Sequence, residues 1–296
     1  MRRKFLSLIL LLLASWSIAS AQQPYVSTAE DIALGEILLQ ELAASAPRTS
    51  ASDQLVQAAN GMLGQPYVAW TQEGREEKLR IYLTKTDCIL FVDNALGLVR
   101  TARQHGAQAS FEDLAETLEP SRHNADRVRE GYRPYATRVH YVTEWIARGG
   151  KLGYFRDITG ELGGVPDTRK IDFMSTHPDS YTELSGESPS ARRNLQDIIR
   201  MEEAVNGIPR TYIPKDRVAA IQDQIRSGDI LCFATSIDGL DYSHVAVAYR
   251  SRPGAPLSFI HASSAAMKVI VEPGTLVDYL AKHSKSSGIS VLRLED

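Results

Sequence analysis

The chain changes character at Gly228-Asp229, and that change constrains its fold more than any other feature. Before it, apolar residues recur at helical spacing between polar and Gly/Pro-rich stretches. After it, short apolar and β-branched runs alternate with turns. Residues 230–235, 244–250, 257–262, 268–272 and 289–294 read as strands, with a helix over 276–282 before the last. The turns at 237–241 and at Arg252-Pro253-Gly254-Ala255-Pro256 leave consecutive strands antiparallel. A helical half followed by an antiparallel meander is an α+β fold.

Within the helical half, residues 29–45 carry Ile32, Leu34, Ile37, Leu38 and Leu42 near helical spacing, and a polar linker runs to Ser52. A short helix over 53–63 stops at Gly64 and Pro66, and 79–83 reads as a short strand. Beyond Asp87, residues Phe91, Ala95, Leu98 and Ala102 share one helical face, with Val92, Leu96 and Val99 beside it. That pattern describes a buried helix. Thr86 or Asp87 is its natural N-cap, which puts Cys88 in the first turn. Residues 107–215 are mostly helix and loop, helical at 111–118, 141–147 and 194–204. The stretch 149–189 is longer than a connection requires and is expected to shape a cleft.

The N-terminus reads as an export leader: Arg2-Arg3-Lys4, an apolar run over 5–14, then Ala19-Ser20-Ala21. Cleavage after Ala21 is expected, giving a periplasmic or secreted protein. The apolar run is too short for a comfortable permanent span, and none follows it. Loss of three basic residues moves the formal charge from −3 to −6, which gives no electrostatic purchase on nucleic acid. The roughly 275 residues that remain can bury a large core. The expected organisation is a leader over 1–21, a helix and linker over 22–52, and a main domain over 53–296 with an insertion near 107–215.

An exported chain with only Cys88 and Cys232 is no disulfide scaffold. Either the two form one structural bridge, or one is a reactive thiol and the other a buried one. Cys88 has the reactive context, since the open N–H groups and positive dipole end of a helix start stabilise a thiolate and an oxyanion. Cys232 sits among Ile230, Leu231, Phe233 and Ala234 and reads as a core residue. A thiol that attacks an amide needs a base that later becomes an acid. His244 begins one strand and His261 closes the next. A hairpin centred on Arg252-Pro253 pairs 244 with 261 on one face, so His261 is placed to fix the tautomer of His244. No helix-spaced histidine pair, phosphate loop or Gly-x-Ser-x-Gly elbow is present, so neither a metal nor a cofactor is expected.

The order of these pieces resembles a known family. Leu63-Gly64-Gln65-Pro66-Tyr67, Thr86-Asp87-Cys88-Ile89-Leu90-Phe91-Val92-Asp93, Thr137-Arg138-Val139-His140-Tyr141, Ser227-Gly228-Asp229-Ile230, Ser243-His244-Val245-Ala246 and His261-Ala262-Ser263-Ser264 follow one another in its sequence order. Together they look like the N-acetylmuramoyl-L-alanine amidase-like branch of the NlpC-type papain-like cysteine hydrolases. The resemblance implies a papain-like fold and hydrolysis of the amide between muramic acid and L-alanine, on peptidoglycan or its muropeptide fragments. It implies Cys88 as nucleophile, His244 as base and His261 as the orienting residue, with Tyr67, Asp87, His140, Tyr141 and Ser243 at the substrate. Ile89-Leu90 stand where polar threonines are common, and Asp93 replaces a glutamate. A γ-D-glutamyl-diaminopimelate endopeptidase, a lipid acyl transferase and a non-catalytic peptidoglycan-binding protein are the alternatives.

Overall fold

The structure is a computed structural model, and it describes residues 24–74 and 76–296. The expected leader over 1–21 lies outside the described residues. The chain enters at strand β1 (Tyr25–Val26) and helix α1 (Ala29–Ser45), whose N-cap Thr28 forms a reciprocal capping box with Asp31. Asp31 also accepts from the backbone of Leu83 and Thr84, both at 2.8 Å, and so pins α1 to the segment that leads into the cysteine helix. Helix α2 (Ala51–Gly61) follows, then strand β2 (Leu79–Arg80), which pairs in parallel with β1. The expected strand over 79–83 is therefore shorter than its alternation suggests. Helices α3 (Cys88–His105), α4 (Phe111–Arg122) and α5 (Val142–Lys151) complete the first layer.

The insertion holds more strand than expected. Strands β3 (Arg156–Asp157) and β4 (Val165–Pro166) precede helices α6 (Phe173–Thr176) and α7 (Pro189–Asn206). Strand β5 (Thr211–Pro214) and helix α8 (Lys215–Ile221) follow. These strands are two to four residues long, too short to show a period of two, and they are recruited to the edge of the main sheet. The insertion has a small core of its own, in which Ile198, Met201 and Val205 of α7 meet Tyr135, Tyr141 and Met174.

Strands β6 (Ile230–Thr235), β7 (Tyr242–Tyr249), β8 (Ser258–Ser263) and β9 (Lys268–Val271) form the antiparallel meander. Helix α9 (Leu276–Lys282) then returns the chain, and the last strand, β10 (Ser286–Arg293), runs back along β6. The resulting order is β4-β5-β10-β6-β7-β8-β9, with β3 paired to the far end of β10. Gly228, at φ +84°, makes the entry to β6 possible: a Cβ there would strike the Ser52 backbone at the start of α2.

Alternation along β6 divides the core in two. Ile230, Cys232 and Ala234 face α1, α2, α3 and α4, whereas Leu231 and Phe233 face α8 and α9. The sheet is thus covered on both faces, and α3 lies buried against it. All seven apolar residues assigned to the buried face of α3 are in that core, because helical periodicity reports burial directly.

The hairpin register differs from expectation. Val247 pairs with Ile260, Ala248 with Phe259 and Tyr249 with Ser258, which centres the turn one residue further along, between Pro253 and Gly254. Continued outward, this register sets 244 opposite 263, and 261 opposite 246. The slip is two residues, the period of a strand, so His244 and His261 stay on one face as diagonal neighbours. Neither proline of the turn carries an N–H to extend the ladder inward, and Gly254 supplies the positive φ.

Asp93 of α3 ties three helices together. It accepts from the Arg122 guanidinium at 2.6 Å, from the Trp145 indole at 2.9 Å and from the Ser121 hydroxyl, and both ion-pair partners are buried. Asp93→Ala should lower the unfolding free energy by about 3–5 kcal/mol, because Arg122 is left buried and unpaired. Urea unfolding of the two proteins measures this, and a loss below about 1 kcal/mol would show that the cluster is not structural.

Candidate active site

The start of α3 is fixed by Asp87. Its backbone is extended, one carboxylate oxygen accepts from the N–H of Leu90 at 2.9 Å, and the other accepts from the Thr71 hydroxyl at 2.9 Å. Thr86 donates its N–H to Pro66 at 3.0 Å and accepts from Val68 at 2.9 Å. Residues 66–71 therefore run alongside the cysteine, which brings Tyr67 to it. The Tyr67 hydroxyl is held above its usual pKa by burial, then by the charges of Cys88 and Asp87.

Cys88 is half-buried, and the backbone amides of Val245, Ile89 and Cys88 itself lie near enough to its sulfur to favour the thiolate. Val245 follows His244 in β7, so the thiol meets the sheet beside the histidine. Burial, and then the Asp87 carboxylate, push the thiol up to about 12 against the pull of those N–H groups. The helix start was expected to favour a thiolate. Here desolvation outweighs it, and Cys88 rests as a thiol.

His244 and His261 are hydrogen-bonded, Nε2 to Nδ1, at 2.8 Å. Tyr279 of α9 stacks over His244 with ring centroids 6.4 Å apart, and the charge of Cys88 is felt at that tyrosine. Burial, reinforced by His261 and His283, lowers His244 to about 3; burial and His283 lower His261 to about 4. Both rings are neutral at neutral pH. One further residue, Glu272 at the end of β9, stands 3.3 Å from His261 Nε2. That contact is out of line for a hydrogen bond, but it sets the favoured tautomer. A proton on His261 Nε2 faces the carboxylate, Nδ1 then accepts from His244 Nε2–H, and His244 Nδ1 keeps a lone pair. Sequence reading missed Glu272; pairing 261 with 270 in the next hairpin would have found it on the same face.

The remaining expected residues divide between two hollows. Ser243 is exposed and lines one of about 590 Å³ together with His244, His261 and Glu272. A second, of about 190 Å³, is bounded by Asp87 and Ile89, the residues on either side of Cys88, and by His140 and Tyr141. His140 is half-buried, donates Nε2–H to the Tyr135 carbonyl at 3.0 Å, and is held well below 6.5 by burial and by Arg138. Tyr141 presents only its ring. Its hydroxyl donates to Glu202 at 2.7 Å and accepts from the Met174 N–H at 2.9 Å, which anchors the insertion beside the cleft. Trp70, Glu73 and Arg138 also line this hollow, and sequence reading gave them no role.

Cys232 is fully buried opposite Val245, and both cysteines are free thiols. Denaturation without reductant should therefore expose two thiols to a chromogenic disulfide reagent, while the folded protein should yield one, slowly. Finding none after denaturation would mean a Cys88–Cys232 bridge and would remove the nucleophile.

The model of the AmiA-like family, N-acetylmuramoyl-L-alanine amidase-like, matches residues 57–289. A crystal structure of an N-acetylmuramoyl-L-alanine amidase from Bacteroides uniformis superposes with a TM-score of 0.73 at 29% identity, covering 83% of this chain and 99% of that one. A Bacteroides fragilis structure gives a TM-score of 0.70 at 29% identity, over 80% of this chain and 99% of the other. A Legionella pneumophila protein shares the fold alone, with a TM-score of 0.65 at 19% identity over 91% and 97% of the two chains. No curated protein matches the chain. With residues 57–289, about four-fifths of the chain, inside the family model, the chain belongs to the N-acetylmuramoyl-L-alanine amidase-like family.

Proposed function

We propose that this chain is an exported cysteine amidohydrolase of NlpC-type papain-like architecture that cleaves the amide between N-acetylmuramic acid and L-alanine. Its partners are peptidoglycan or muropeptide fragments, met in the periplasm or outside the cell once the leader is removed. The hydrogen-bonded His244–His261 pair, next in the chain to the amide that lies near the Cys88 sulfur, supports this reading most directly.

The chemistry follows from the protonation states. A thiol near 12 beside an imidazole near 3 is an uncharged pair, so no ion pair waits in the resting enzyme. The thiol proton passes to His244 Nδ1 as sulfur attacks the lactyl carbonyl carbon. The C=O π pair moves to oxygen, and backbone N–H groups at the start of α3 receive the oxyanion. His244, now cationic, is supported by His261 and, through it, by Glu272. It gives its proton to the alanine nitrogen, the C–N bond breaks, and the muramyl group remains as a thioester on Cys88. Water, deprotonated by the same histidine, attacks the thioester and restores the thiol with release of the lactyl acid.

Two measurements follow. Incubated with a disaccharide carrying an L-Ala–γ-D-Glu–diaminopimelate stem, the wild type should release the intact stem, and Cys88→Ala should lose at least about a thousandfold in rate. Release of a fragment lacking L-Ala-D-Glu would instead mark a γ-D-glutamyl endopeptidase. The base acts when neutral, and burial lowers its pKa. The acid limb of kcat/KM should therefore lie below the ordinary 6.5, with activity sustained to about pH 5. An acid-limb pKa at or above 6.5 would contradict an uncharged, buried His244.

A further inference from the structure

Among the described residues, the two longest runs without Asp, Glu, Lys or Arg are 54–72 and 253–267. They lie far apart in sequence, yet the fold laces parts of them together. The Gly64 N–H donates to the Val269 carbonyl at 2.9 Å, the Val269 N–H to Gln65 at 2.9 Å, and the Tyr67 N–H to Met267 at 3.0 Å. The loop over 63–70 is thereby held beside the turn over 264–267 that joins β8 to β9. Leu63, Val68, Trp70 and Met267 stand on the resulting face, each between 38% and 60% exposed. Single exposed apolar side chains are ordinary on a protein surface, whereas a gathered, charge-free set of them marks a contact.

The backbone holds the two largest of these side chains outward. Trp70, at φ +63°, and Met267, at φ +55°, are two of the three non-glycine residues with positive φ among the described residues. A bulky residue in the left-handed region is strained, and such strain persists where the surroundings over-determine it. The Trp70 carbonyl accepts from the Glu73 N–H at 3.0 Å, and Tyr181 meets the indole edge-on at 5.7 Å. The Met267 carbonyl accepts from Tyr67, and the Ala266 N–H donates to the Ser263 hydroxyl at 3.1 Å.

The flanks are cationic. Lys268 follows Met267 and is exposed, and Lys85 precedes Thr86, whose carbonyl accepts from Val68 at 2.9 Å. The Lys85 ammonium lies 4.5 Å from the Tyr82 ring centroid rather than on a carboxylate. The acids close by are turned inward: Glu73 to Arg138, Asp87 to Thr71 and Leu90, and Glu272 to His261. A groove would suit a peptide, but two turn tips suit a plane. Aliphatic tips, an indole and flanking ammonium groups match the boundary between acyl chains and phosphate headgroups.

We propose that Leu63, Val68, Trp70 and Met267 dock this protein peripherally on an anionic phospholipid bilayer, with Lys85 and Lys268 at the headgroups. Docking there brings the Cys88 cleft, walled by the same loop, to the bilayer surface. The proposal does not depend on which amide is cut.

Vesicle binding tests it. The protein as the host cell processes it is mixed with vesicles of phosphatidylethanolamine and phosphatidylglycerol, or of phosphatidylcholine alone, and pelleted. All variants share one N-terminus, so differences among them report the face. The wild type should bind the anionic vesicles, with indole emission moving to shorter wavelength, and Trp70→Phe should lose that movement. The triple variant Leu63→Gln, Val68→Ser, Met267→Asn should lower the partition coefficient about tenfold or more. Lys85→Gln with Lys268→Gln should lower it about tenfold on anionic vesicles and leave phosphatidylcholine unaffected. These side chains are at least partly exposed and Asn accepts a left-handed backbone, so the variants should melt as the wild type does. No binding by the wild type, a triple variant that binds equally well, or an equal loss on both vesicles for the lysine variant would overturn the proposal. Self-association of the wild type that the triple variant abolishes, without vesicle binding, would give the face to a second copy and overturn it as well.

Discussion

One carboxylate organises the cleft. Asp87 caps α3 through one oxygen and holds the Thr71 hydroxyl with the other, so the helix, the thiol that follows the cap and the loop carrying Tyr67 and Trp70 share one anchor. A cap of this kind contributes about 1 kcal/mol to a helix. Its larger effect is positional. Without the Thr71 contact the loop over 66–71 would depend on its backbone bonds to Thr86 and Met267 alone. The arrangement has a cost, since burial raises the Asp87 carboxyl against its hydrogen bonds to Leu90 and Thr71.

The same burial sets the chemical style of the site. A solvent-exposed cysteine at a helix start beside an imidazole tends toward a thiolate–imidazolium pair. Here α3 is packed against the sheet, Phe233, Phe259 and Tyr279 surround the histidines, and desolvation disfavours both charges. In the proposed reaction, charge then develops only as the substrate arrives, in a line from Cys88 through His244 and His261 toward Glu272. Glu272 ends that line with 18% of its side chain exposed, against 3% for His261.

Much of this was legible in the sequence. Helical periodicity located α1, α3 and α9, because their apolar spacing reports burial, and the bounds of β6 follow from an unbroken apolar run between Asp229 and Ser236. The Cys88 cap and the shared face of His244 and His261 came from local chemistry and from the period of a strand. The hairpin register was two residues off, and the face survived only because two is that period. What escaped depends on long-range packing. Strands β3 and β5 exist because β10 offers them an edge. Trp70, Glu73 and Arg138 meet across more than sixty residues of sequence. The resting state of Cys88 was misjudged because a helix dipole is visible in sequence, whereas the depth of burial opposing it is not.

The central claim is that Cys88 carries the acyl group of the muramyl side during turnover. Acid-quenched wild type, mixed briefly with the disaccharide-peptide and digested for mass spectrometry, reports this directly. The account predicts a muramyl thioester on the Cys88 peptide, absent from Cys88→Ala. An adduct carrying L-Ala-D-Glu would contradict the bond assignment, and an unmodified Cys88 during active turnover would contradict the mechanism.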